Sequence, residues 1–323
     1  MKKIFAKISI ILLLLPAFLI SKARAADTSP TAFLNSGAYN NIIDDGSFVD
    51  VGSMDANAIQ QFLVNSGSYL ASYTDSSCSL SDCQTENGKS AAQIIYDAAK
   101  GLYPAAIGSN EGIDITASTG TVSPKIILIF LQKEQGLITN PARNDYGLTY
   151  AMGYGCSDST GCPGSSHPGF SEQVGWGAWQ LRYNFEAAKQ NLSWWQAAYQ
   201  GNPGTYFYVG GSQTLSDYTG TYNLTFADAA TASNYRYTPH VFDSAYNVWQ
   251  FWNTWSFPAS GAPPPPARKS GDANGDNGVD LLDLSILASQ WGQGVTANTG
   301  ADFNGDGKVD LLDLSILASA WGS

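Results

Sequence analysis

The spacing of apolar residues predicts a mainly α-helical domain over residues 26–257. Apolar residues recur every three to four positions after Asp55 and after Ser90, and both residues are good helix N-caps. The tryptophan-rich segment 244–255 predicts a further helix. Residues 206–209 favour a short strand. We therefore expect an α-rich fold with little sheet.

The most informative predicted helix begins at Ser123, a good N-cap, and has Pro124 in its first position. It continues through six consecutive apolar residues, Ile126–Leu131, so it is apolar on nearly every side and belongs inside the domain. Gly136 ends the helix. Glu134 therefore projects from the apolar side of a buried helix, in its last turn.

A carboxyl in such a position is a candidate general acid. Removal from water and the partial negative charge of a helix C-terminus both raise the pKa of a carboxyl. A carboxyl that stays protonated near neutral pH can protonate a glycosidic oxygen. The pattern also allows Glu134 to be structural, either paired with a buried arginine or reaching solvent.

A proline-rich linker divides the chain. Residues 258–270 read PASGAPPPPARKS, and four consecutive prolines favour an extended polyproline II helix. All 17 tyrosines of the chain precede this segment. We expect three parts after residue 25: a mainly helical domain at 26–257, the linker at 258–270 and a small domain at 271–323.

Residues 1–25 have the pattern of a secretory signal peptide. Two lysines precede an apolar run, Ile8–Ile20, and small residues stand at Ala23 and Ala25. The run is shorter than the ~20 residues that a spanning helix needs, and an uncleaved anchor is the alternative. We expect cleavage after Ala25, no membrane span afterwards, and a protein that is secreted or at the cell surface.

Net charge and cysteine content limit the classes of partner and of site that the protein can have. The net charge is −11, and loss of the five basic residues in 1–25 makes it −16, which argues against a nucleic-acid partner. The four cysteines form two local pairs, Cys78 with Cys83 and Cys156 with Cys162. Neither pair has the CxxC spacing of a metal site, so we favour two disulfides in an exported protein.

Residues 271–323 contain two copies of one pattern, which lie 30 residues apart. In each copy, oxygen-bearing side chains occupy loop positions 1, 3, 5, 9 and 12, and position 7 offers a backbone carbonyl. Such ligands are typical of calcium loops of the EF-hand type, whereas an acidic solvated turn is the alternative. The ligands predicted for two Ca²⁺ ions are Asp272, Asn274, Asp276, Gly278, Asp280 and Asp283 in the first loop, and Asp302, Asn304, Asp306, Lys308, Asp310 and Asp313 in the second.

A helix is predicted after each loop, with apolar residues spaced to form one buried stripe. The stripes that we expect to pack against each other are Leu284, Leu287, Ala288 and Trp291 in the first copy, and Leu314, Leu317, Ala318 and Trp321 in the second. Together the paired loops and helices predict a small all-α domain.

This duplicated loop and helix resembles a dockerin, the calcium module that attaches secreted polysaccharide-degrading enzymes to cohesins. The resemblance implies a cohesin-like protein as partner. Dockerins usually carry small hydroxyl residues at loop positions 10 and 11, where this chain has Leu281-Leu282 and Leu311-Leu312. An intramolecular or cell-surface role is therefore an alternative to cohesin binding.

The segment SPKIILIFLQKEQGLIT resembles the catalytic helix of lysozyme-like domains, whose glutamate acts on β-1,4-linked amino-sugar glycans. GWGAWQL at 175–181 is similar to a substrate segment of lytic transglycosylases, and YRYTPH at 235–240 to a segment of related glucosaminidases. The resemblance implies a lysozyme-like fold, with Glu134 as the catalytic acid and Gln180 and Tyr237 binding substrate. Transglycosylases usually have Ser after the glutamate and Met before the Gln, so hydrolysis and transglycosylation both stay open.

Three further side chains are candidates for substrate binding. Trp176 and Trp179 lie three residues apart, on one face if helical, where they either stack on sugar rings or pack in the core. Asp145 either supplies the second carboxylate of a glycosidase or belongs to a turn.

The sequence thus favours a secreted glycosidase that cleaves peptidoglycan or another β-1,4-linked polysaccharide. An acidic protein gains no electrostatic attraction to an acidic wall polymer, which favours a neutral polysaccharide somewhat. The alternative is a non-catalytic, sugar-binding adhesin on the same scaffold, with Glu134 in a structural role.

Overall fold

The computed structural model describes most of the chain. The described ranges are 27–76, 78–104, 112–157, 161–192, 207–217, 219–261, 269–274, 278–293, 300–304 and 308–323. The predicted signal peptide 1–25 and most of the predicted linker 258–270 lie outside these ranges.

Helices dominate the described residues, as the sequence predicts. The helices are α1 (Pro30–Ser36), α2 (Asp45–Phe48), α3 (Ala56–Asn65), α4 (Ala91–Ala99), α5 (Pro124–Gln135), α6 (Asp145–Thr149), α7 (Phe170–Gln190), α8 (Ala229–Tyr237), α9 (Asn247–Thr254), α10 (Leu281–Gln290) and α11 (Leu311–Ser319). A π-type turn, Val241–Tyr246, leads into α9. The strands β1 (Ser212–Asp217) and β2 (Gly220–Thr225) form an antiparallel hairpin in which Ser212 pairs with Thr225.

The predicted caps form at the predicted places. Asp55 accepts a hydrogen bond from the Ala58 N–H at 2.8 Å at the start of α3, and Ser90 accepts one from the Gln93 N–H at 3.3 Å at the start of α4. A side-chain acceptor at this position satisfies an N–H group that the helix leaves unpaired. These two helix starts are confirmed.

The core of the large domain lies where α4, α5 and α7 meet. Helix α5 packs against α4 and α9, and α7 packs against α4 and α8. The residues Ile126–Leu131 of α5 are all fully buried, so the prediction that this helix lies inside the domain is confirmed. Burial on every side explains why α5 lacks a polar face.

Two elements differ from the sequence prediction. The strands begin at Ser212, after the predicted segment 206–209, because Gly210 and Gly211 make a tight turn there: the Gly211 N–H donates to the Tyr208 carbonyl at 2.8 Å. Helix α7, the longest described, starts without a side-chain cap at Gly169, so the local start signal used for the other helices is missing.

Both predicted disulfides form, Cys78–Cys83 and Cys156–Cys162. Each closes a local loop, and Cys83 and Cys78 belong to the hydrophobic core of the large domain. Among the described residues, none of the helices has the length and apolar character needed to cross a membrane.

The tail folds as two loop and helix units that exchange contacts. The Gly292 N–H after α10 donates to the Val309 carbonyl at 2.8 Å, and the Gly322 N–H after α11 donates to the Val279 carbonyl at 2.9 Å. Val279 and Val309 are buried with Leu287 and Leu317, one leucine from each helix. The interface is therefore shared between loop and helix residues.

This arrangement corrects part of the predicted stripes. Leu284, Leu287, Leu314 and Leu317 face the small core, but Ala288 and Ala318 are exposed. Trp291 and Trp321 keep 47% and 49% of their surface exposed. The reason is that the loop valines occupy the space between the helices, so the predicted direct packing of two full stripes does not occur.

Candidate functional site

Glu134 lies in the last turn of α5, as predicted. The helix ends because Gly136 adopts the left-handed conformation, with φ 66°, and its N–H donates to the carbonyls of Leu131 and Gln132. The side chain of Glu134 keeps 21% of its surface exposed. The fold thus brings this carboxylate from a buried helix to the edge of solvent.

The surroundings of Glu134 include a buried cation, which is Lys133 rather than the buried arginine that the sequence analysis allows as a partner. The ammonium of Lys133 contacts Oε1 of Glu134, and the Lys133 side chain is only 1% exposed. The same ammonium donates to the Thr238 hydroxyl at 3.0 Å, and that hydroxyl lies 3.4 Å from Glu134 Oε1. The predicted purely apolar environment of Glu134 is therefore wrong, because two polar groups hold one of its oxygens.

The second carboxylate oxygen of Glu134 faces the backbone at Gly153. A Cβ atom at this position would lie 2.9 Å from Oε2. Gly153 also has φ +67°, a backbone conformation that residues other than glycine rarely adopt. The segment 150–157 consequently passes directly beside the carboxylate. Only glycine leaves room for the oxygen in this arrangement.

Tyr237 holds the same segment in place. Its hydroxyl donates to the Met152 carbonyl at 2.9 Å, and its ring packs edge-on against Phe130, with centroids 5.2 Å apart. Burial, and to a lesser degree the charge of Glu134, raise the pKa of Tyr237 well above its usual value. Tyr237 therefore belongs to the surroundings of Glu134, but its hydroxyl donates to the backbone, and its role in substrate binding stays a prediction.

Gln173 of α7 makes the most extensive hydrogen bonds of this region, and the sequence analysis missed it. Its Oε1 accepts from the N–H groups of Met152 and Tyr154 at 3.3 and 2.9 Å. Its Nε2 donates to the carbonyls of Tyr154 and His167 at 3.0 and 2.8 Å. This buried amide therefore sets the position of the backbone beside Glu134.

The predicted tryptophans lie beyond Tyr154, in a cluster of aromatic rings. Tyr154 stacks on Trp176 at 6.0 Å, Trp176 meets Trp179 edge-on at 5.6 Å, and Trp179 stacks on Tyr183 at 4.8 Å. Both tryptophans are buried. Their rings pack against protein neighbours. Of the two roles that the sequence allows, the structure therefore shows core packing.

The two other predicted substrate-binding residues have local partners. Gln180 Nε2 donates to the Asn184 carboxamide at 2.6 Å, one turn further along α7. Asp145 accepts from Arg143 Nε at 2.6 Å and its side chain is 76% exposed. Asp145 lines a pocket of about 190 Å³ that also contains Tyr73 and Phe170.

A second polar cluster includes His167, whose ring lies 5.4 Å from the ring of Tyr154. Nδ1 of His167 lies 2.9 Å from Oε2 of Glu172, and Asp82 Oδ2 accepts from Trp176 Nε1 at 2.9 Å. Burial raises the pKa of Glu172 to about 7; the neighbouring Asp82 adds to this and His167 opposes it. Sequence analysis gave no signal for this cluster, because Asp82 is far in the chain from His167 and Glu172.

In the tail, the carboxylates at loop position 12 organise the predicted calcium loops. Asp283 is fully buried, and it accepts from the N–H groups of Ala273, Asn274 and Asp280 at 2.7, 3.1 and 2.8 Å. Burial acts against its charge, but these donors outweigh it and lower the pKa of Asp283. The loop is thereby closed around an anionic side chain.

The second loop repeats this geometry. Asp313 accepts from the N–H groups of Phe303, Asn304 and Asp310 at 2.7, 3.2 and 2.9 Å. Asp280 and Asp310 also cap α10 and α11 through the N–H groups of Leu282 and Leu312. The predicted ligands Asp276 and Asp306 lie outside the described residues.

The remaining predicted ligands fit a calcium site. Asp272 and Asp302, at loop position 1, are buried, and the described donors at the predicted positions are carboxylate, amide or backbone oxygens. Hard oxygen donors suit Ca²⁺ rather than a softer metal. Oδ2 of Asp283 and Oδ2 of Asp313 each accept one described hydrogen bond, so each keeps a lone pair for an ion, whereas Oδ1 of each residue accepts two.

Comparison with known protein families finds matches in two parts of the chain. The family LasA, N-terminal domain, matches residues 41–244. This match spans more than half of the chain, and the chain belongs to that family. The dockerin type I domain matches residues 270–320. No curated protein and no solved structure matches the chain.

The dockerin match confirms the resemblance of the tail. The tail is a calcium-dependent attachment module, and a cohesin is the kind of partner that dockerins bind. Dockerin modules occur in extracellular proteins attached to the cell surface. The lysozyme-like fold of the large domain is not confirmed by these matches and stays a prediction.

Proposed function

We propose that the protein is secreted, binds a β-1,4-linked glycan with its large domain and cleaves it with Glu134 as the general acid. Peptidoglycan or a neutral polysaccharide is the substrate class. The observation that carries the proposal is the position of Glu134: a carboxylate at the end of a buried helix, one-fifth exposed, with one oxygen held and the other beside Gly153.

The surroundings of Glu134 support a fixed orientation for the reaction. Lys133 and Thr238 hold Oε1, so the proton for the leaving glycosidic oxygen would be carried by Oε2. Bond cleavage would leave an oxocarbenium-like centre, and the resulting carboxylate would stabilise its positive charge. Water would complete hydrolysis, whereas an intramolecular sugar hydroxyl would complete transglycosylation.

The test compares Glu134→Gln with Glu186→Gln, a matched substitution on α7, where Glu186 pairs with Arg182 at 2.9 Å. Peptidoglycan, chitin and a β-1,4-glucan serve as substrates, with reducing ends and anhydro-sugars as the two products measured. We expect Glu134→Gln to abolish turnover while retaining glycan binding, and Glu186→Gln to retain both. Equal turnover in both variants would overturn the assignment of Glu134.

The buried ion pair between Lys133 and Glu134 favours a second candidate function. A carboxylate paired with a buried ammonium is a structural element in many proteins, because removing one partner leaves the other charge uncompensated. In that case the protein is a sugar-binding adhesin without catalytic activity. This alternative is supported if the wild type binds a glycan yet releases neither reducing ends nor anhydro-sugars from any substrate.

We further propose that the tail binds two Ca²⁺ ions and docks a cohesin-like protein through exposed leucines. Leu281 and Leu311 are each 69% exposed, and Leu282 and Leu312 are each 58% exposed. They stand where dockerins usually carry small hydroxyl residues, so the contact surface here is apolar. Apolar surface of this kind is costly to leave in water and is typical of interaction sites.

The docking proposal is tested with the full chain in calcium. The double variant Leu281→Ser and Leu311→Ser should retain calcium binding and helix content but weaken binding to a cohesin by more than about tenfold, since each buried leucine contributes about 1.5–3 kcal/mol. Exposed Val64→Ser in α3, which is 40% exposed, is the control. Cohesin binding that persists undiminished in the double variant would refute the role of these leucines.

A further inference from the structure

Three residues from separate segments of the large domain come together around one small space. Asp82 lies in the loop closed by the Cys78–Cys83 disulfide, His167 lies in the loop before α7, and Glu172 lies in the first turn of α7. One nitrogen or oxygen atom from each of the three side chains lies within 4.8 Å of the others. None of these residues belongs to the site around Glu134 or to the calcium loops.

The spacing of the three side chains suits a metal ion. Ligand atoms about 2.0–2.2 Å from a tetrahedral Zn²⁺ lie roughly 3.4 Å from one another. His167 Nδ1 and Glu172 Oε2 are already 2.9 Å apart. An oxygen of Asp82 lies within 4.8 Å of both atoms, so a closing of at most about 1.4 Å would give the spacing of zinc ligands.

The charge of the cluster calls for a cation. Asp82 and Glu172 carry two carboxylates, and even a protonated His167 compensates only one of them. The Glu172 side chain is 1% exposed, and Oδ1 of Asp82 is buried without a hydrogen-bond partner among the described residues. In addition, Oε1 of Glu172 lies 3.7 Å from the sulfur of Cys78, which carries no proton because it is in a disulfide. Buried anionic oxygens with so few donors are costly unless a cation or proton compensates them.

The neighbours of the cluster hold its side chains in place. Trp176 Nε1 donates to Asp82 Oδ2 at 2.9 Å, and Gln173 Nε2 donates to the His167 carbonyl at 2.8 Å. The His167 ring packs on Trp176, with centroids 4.8 Å apart. Such outer contacts orient metal ligands and increase affinity. The His167 side chain is 23% exposed, which leaves a path from solvent.

We propose that Asp82, His167 and Glu172 bind one divalent transition-metal ion, of which Zn²⁺ is the best match. An imidazole nitrogen with two carboxylates favours zinc or a similar ion over Ca²⁺, which prefers six to eight oxygen ligands. Three protein ligands leave a fourth position for water or another small ligand. The site thus differs in chemistry from the calcium loops of the tail.

The experiment uses the untagged full chain in saturating Ca²⁺, so that the tail loops are filled, and measures Zn²⁺ binding by calorimetry and Co²⁺ binding by its visible spectrum. Asp82→Asn, His167→Ala and Glu172→Gln are the test variants. Asp82→Asn keeps the shape of the side chain and an acceptor for Trp176, so it tests the site even where another variant fails to fold. Glu186→Gln on the same helix is the control.

We expect one Zn²⁺ per wild-type chain, unchanged in Glu186→Gln and weakened more than about tenfold in each test variant, as loss of a ligand costs at least as much as loss of an outer contact. The tetrahedral Co²⁺ spectrum should disappear in the same variants. Absence of Zn²⁺ binding in the calcium-saturated wild type would overturn the proposal, and so would equal affinity in wild type and Asp82→Asn. This readout does not depend on glycan cleavage.

Discussion

The replacement of Gln173 by leucine tests how the backbone beside Glu134 is held. Leucine has nearly the volume of glutamine, so the change removes hydrogen bonds without creating a large cavity. The N–H groups of Met152 and Tyr154 lose their acceptor, and the carbonyls of Tyr154 and His167 lose a donor. Gln173 is fully buried, so water cannot replace the amide without entering the core.

The expected cost follows from the number of groups left unpaired. A buried polar group without a partner costs about 1–3 kcal/mol. The Met152 N–H is buried, and the Tyr154 and His167 groups are partly buried, so water recovers some of their loss. We expect a decrease of about 3–5 kcal/mol in the free energy of unfolding, which lowers the melting temperature of a domain of this size by roughly 10 °C.

The assay is calorimetry of the full chain in saturating Ca²⁺, with a scan in chelator to identify the transition of the tail. Gln180→Leu is the matched control, because its half-buried side chain bonds the side chain of Asn184 and no backbone group. We expect it to cost about 1 kcal/mol, because a single acceptor, the Asn184 oxygen, loses its donor. If the two variants melt within 2 °C of each other, as roughly 1 kcal/mol would allow, the reasoning about segment 150–157 is wrong.

Two further predictions concern the tail and a helix cap. Removal of Ca²⁺ by chelation should reduce the helix content of the tail. Asp283→Ala should do the same in calcium, because three N–H groups lose their acceptor. Circular dichroism of the full chain measures both effects, and an unchanged spectrum would contradict the prediction. Asp55→Ala should lower stability by about 1 kcal/mol at pH 7. The Ala58 and Gly261 N–H groups lower the pKa of Asp55 in the folded chain, so its contribution is present above the unfolded pKa near ~4 and is lost as pH falls through the lower folded value. Urea unfolding at pH 7 and pH 2.5 measures this, and an equal effect at both values would be inconsistent with it.

The elements that the sequence predicts well are those with local signals. Helices α3, α4 and α5 each begin at a side-chain acceptor, and α5 ends at a glycine with positive φ. The run of six apolar residues in α5 predicts burial of the helix in the domain without information about its packing partners. Such signals act within a few residues, so one sequence is sufficient to read them.

Helix α7 is different because its stability comes from packing. A Cβ at Gly175 would lie 2.7 Å from the Tyr103 ring, and one at Gly177 would lie 2.9 Å from the Met152 side chain. Both glycines are poor helix formers and are present because neighbouring segments approach closely. Such contacts cannot be predicted from periodicity in the sequence.

The candidate site shows the same limit of local reasoning. The position of Glu134 follows from the helix, but its contact with Lys133 does not, because adjacent helix residues do not normally face each other. Thr238, which is distant in sequence, accepts from the Lys133 ammonium and draws the two side chains together. Likewise, Asp82 meets His167 and Glu172 only because its disulfide-closed loop lies against the start of α7.

The close approach at Gly153 makes the surroundings of Glu134 sensitive to substitutions of uncharged residues. Main chain lies directly beside the Glu134 carboxylate at this glycine. Hydrogen bonds with Gln173 and Tyr237 hold that main chain in place. Loss of either residue would therefore displace the main chain beside the Glu134 carboxylate while leaving every charged group intact. Under the proposed function, substitutions that abolish cleavage would occur at these two supporting residues as well as among the ionisable side chains.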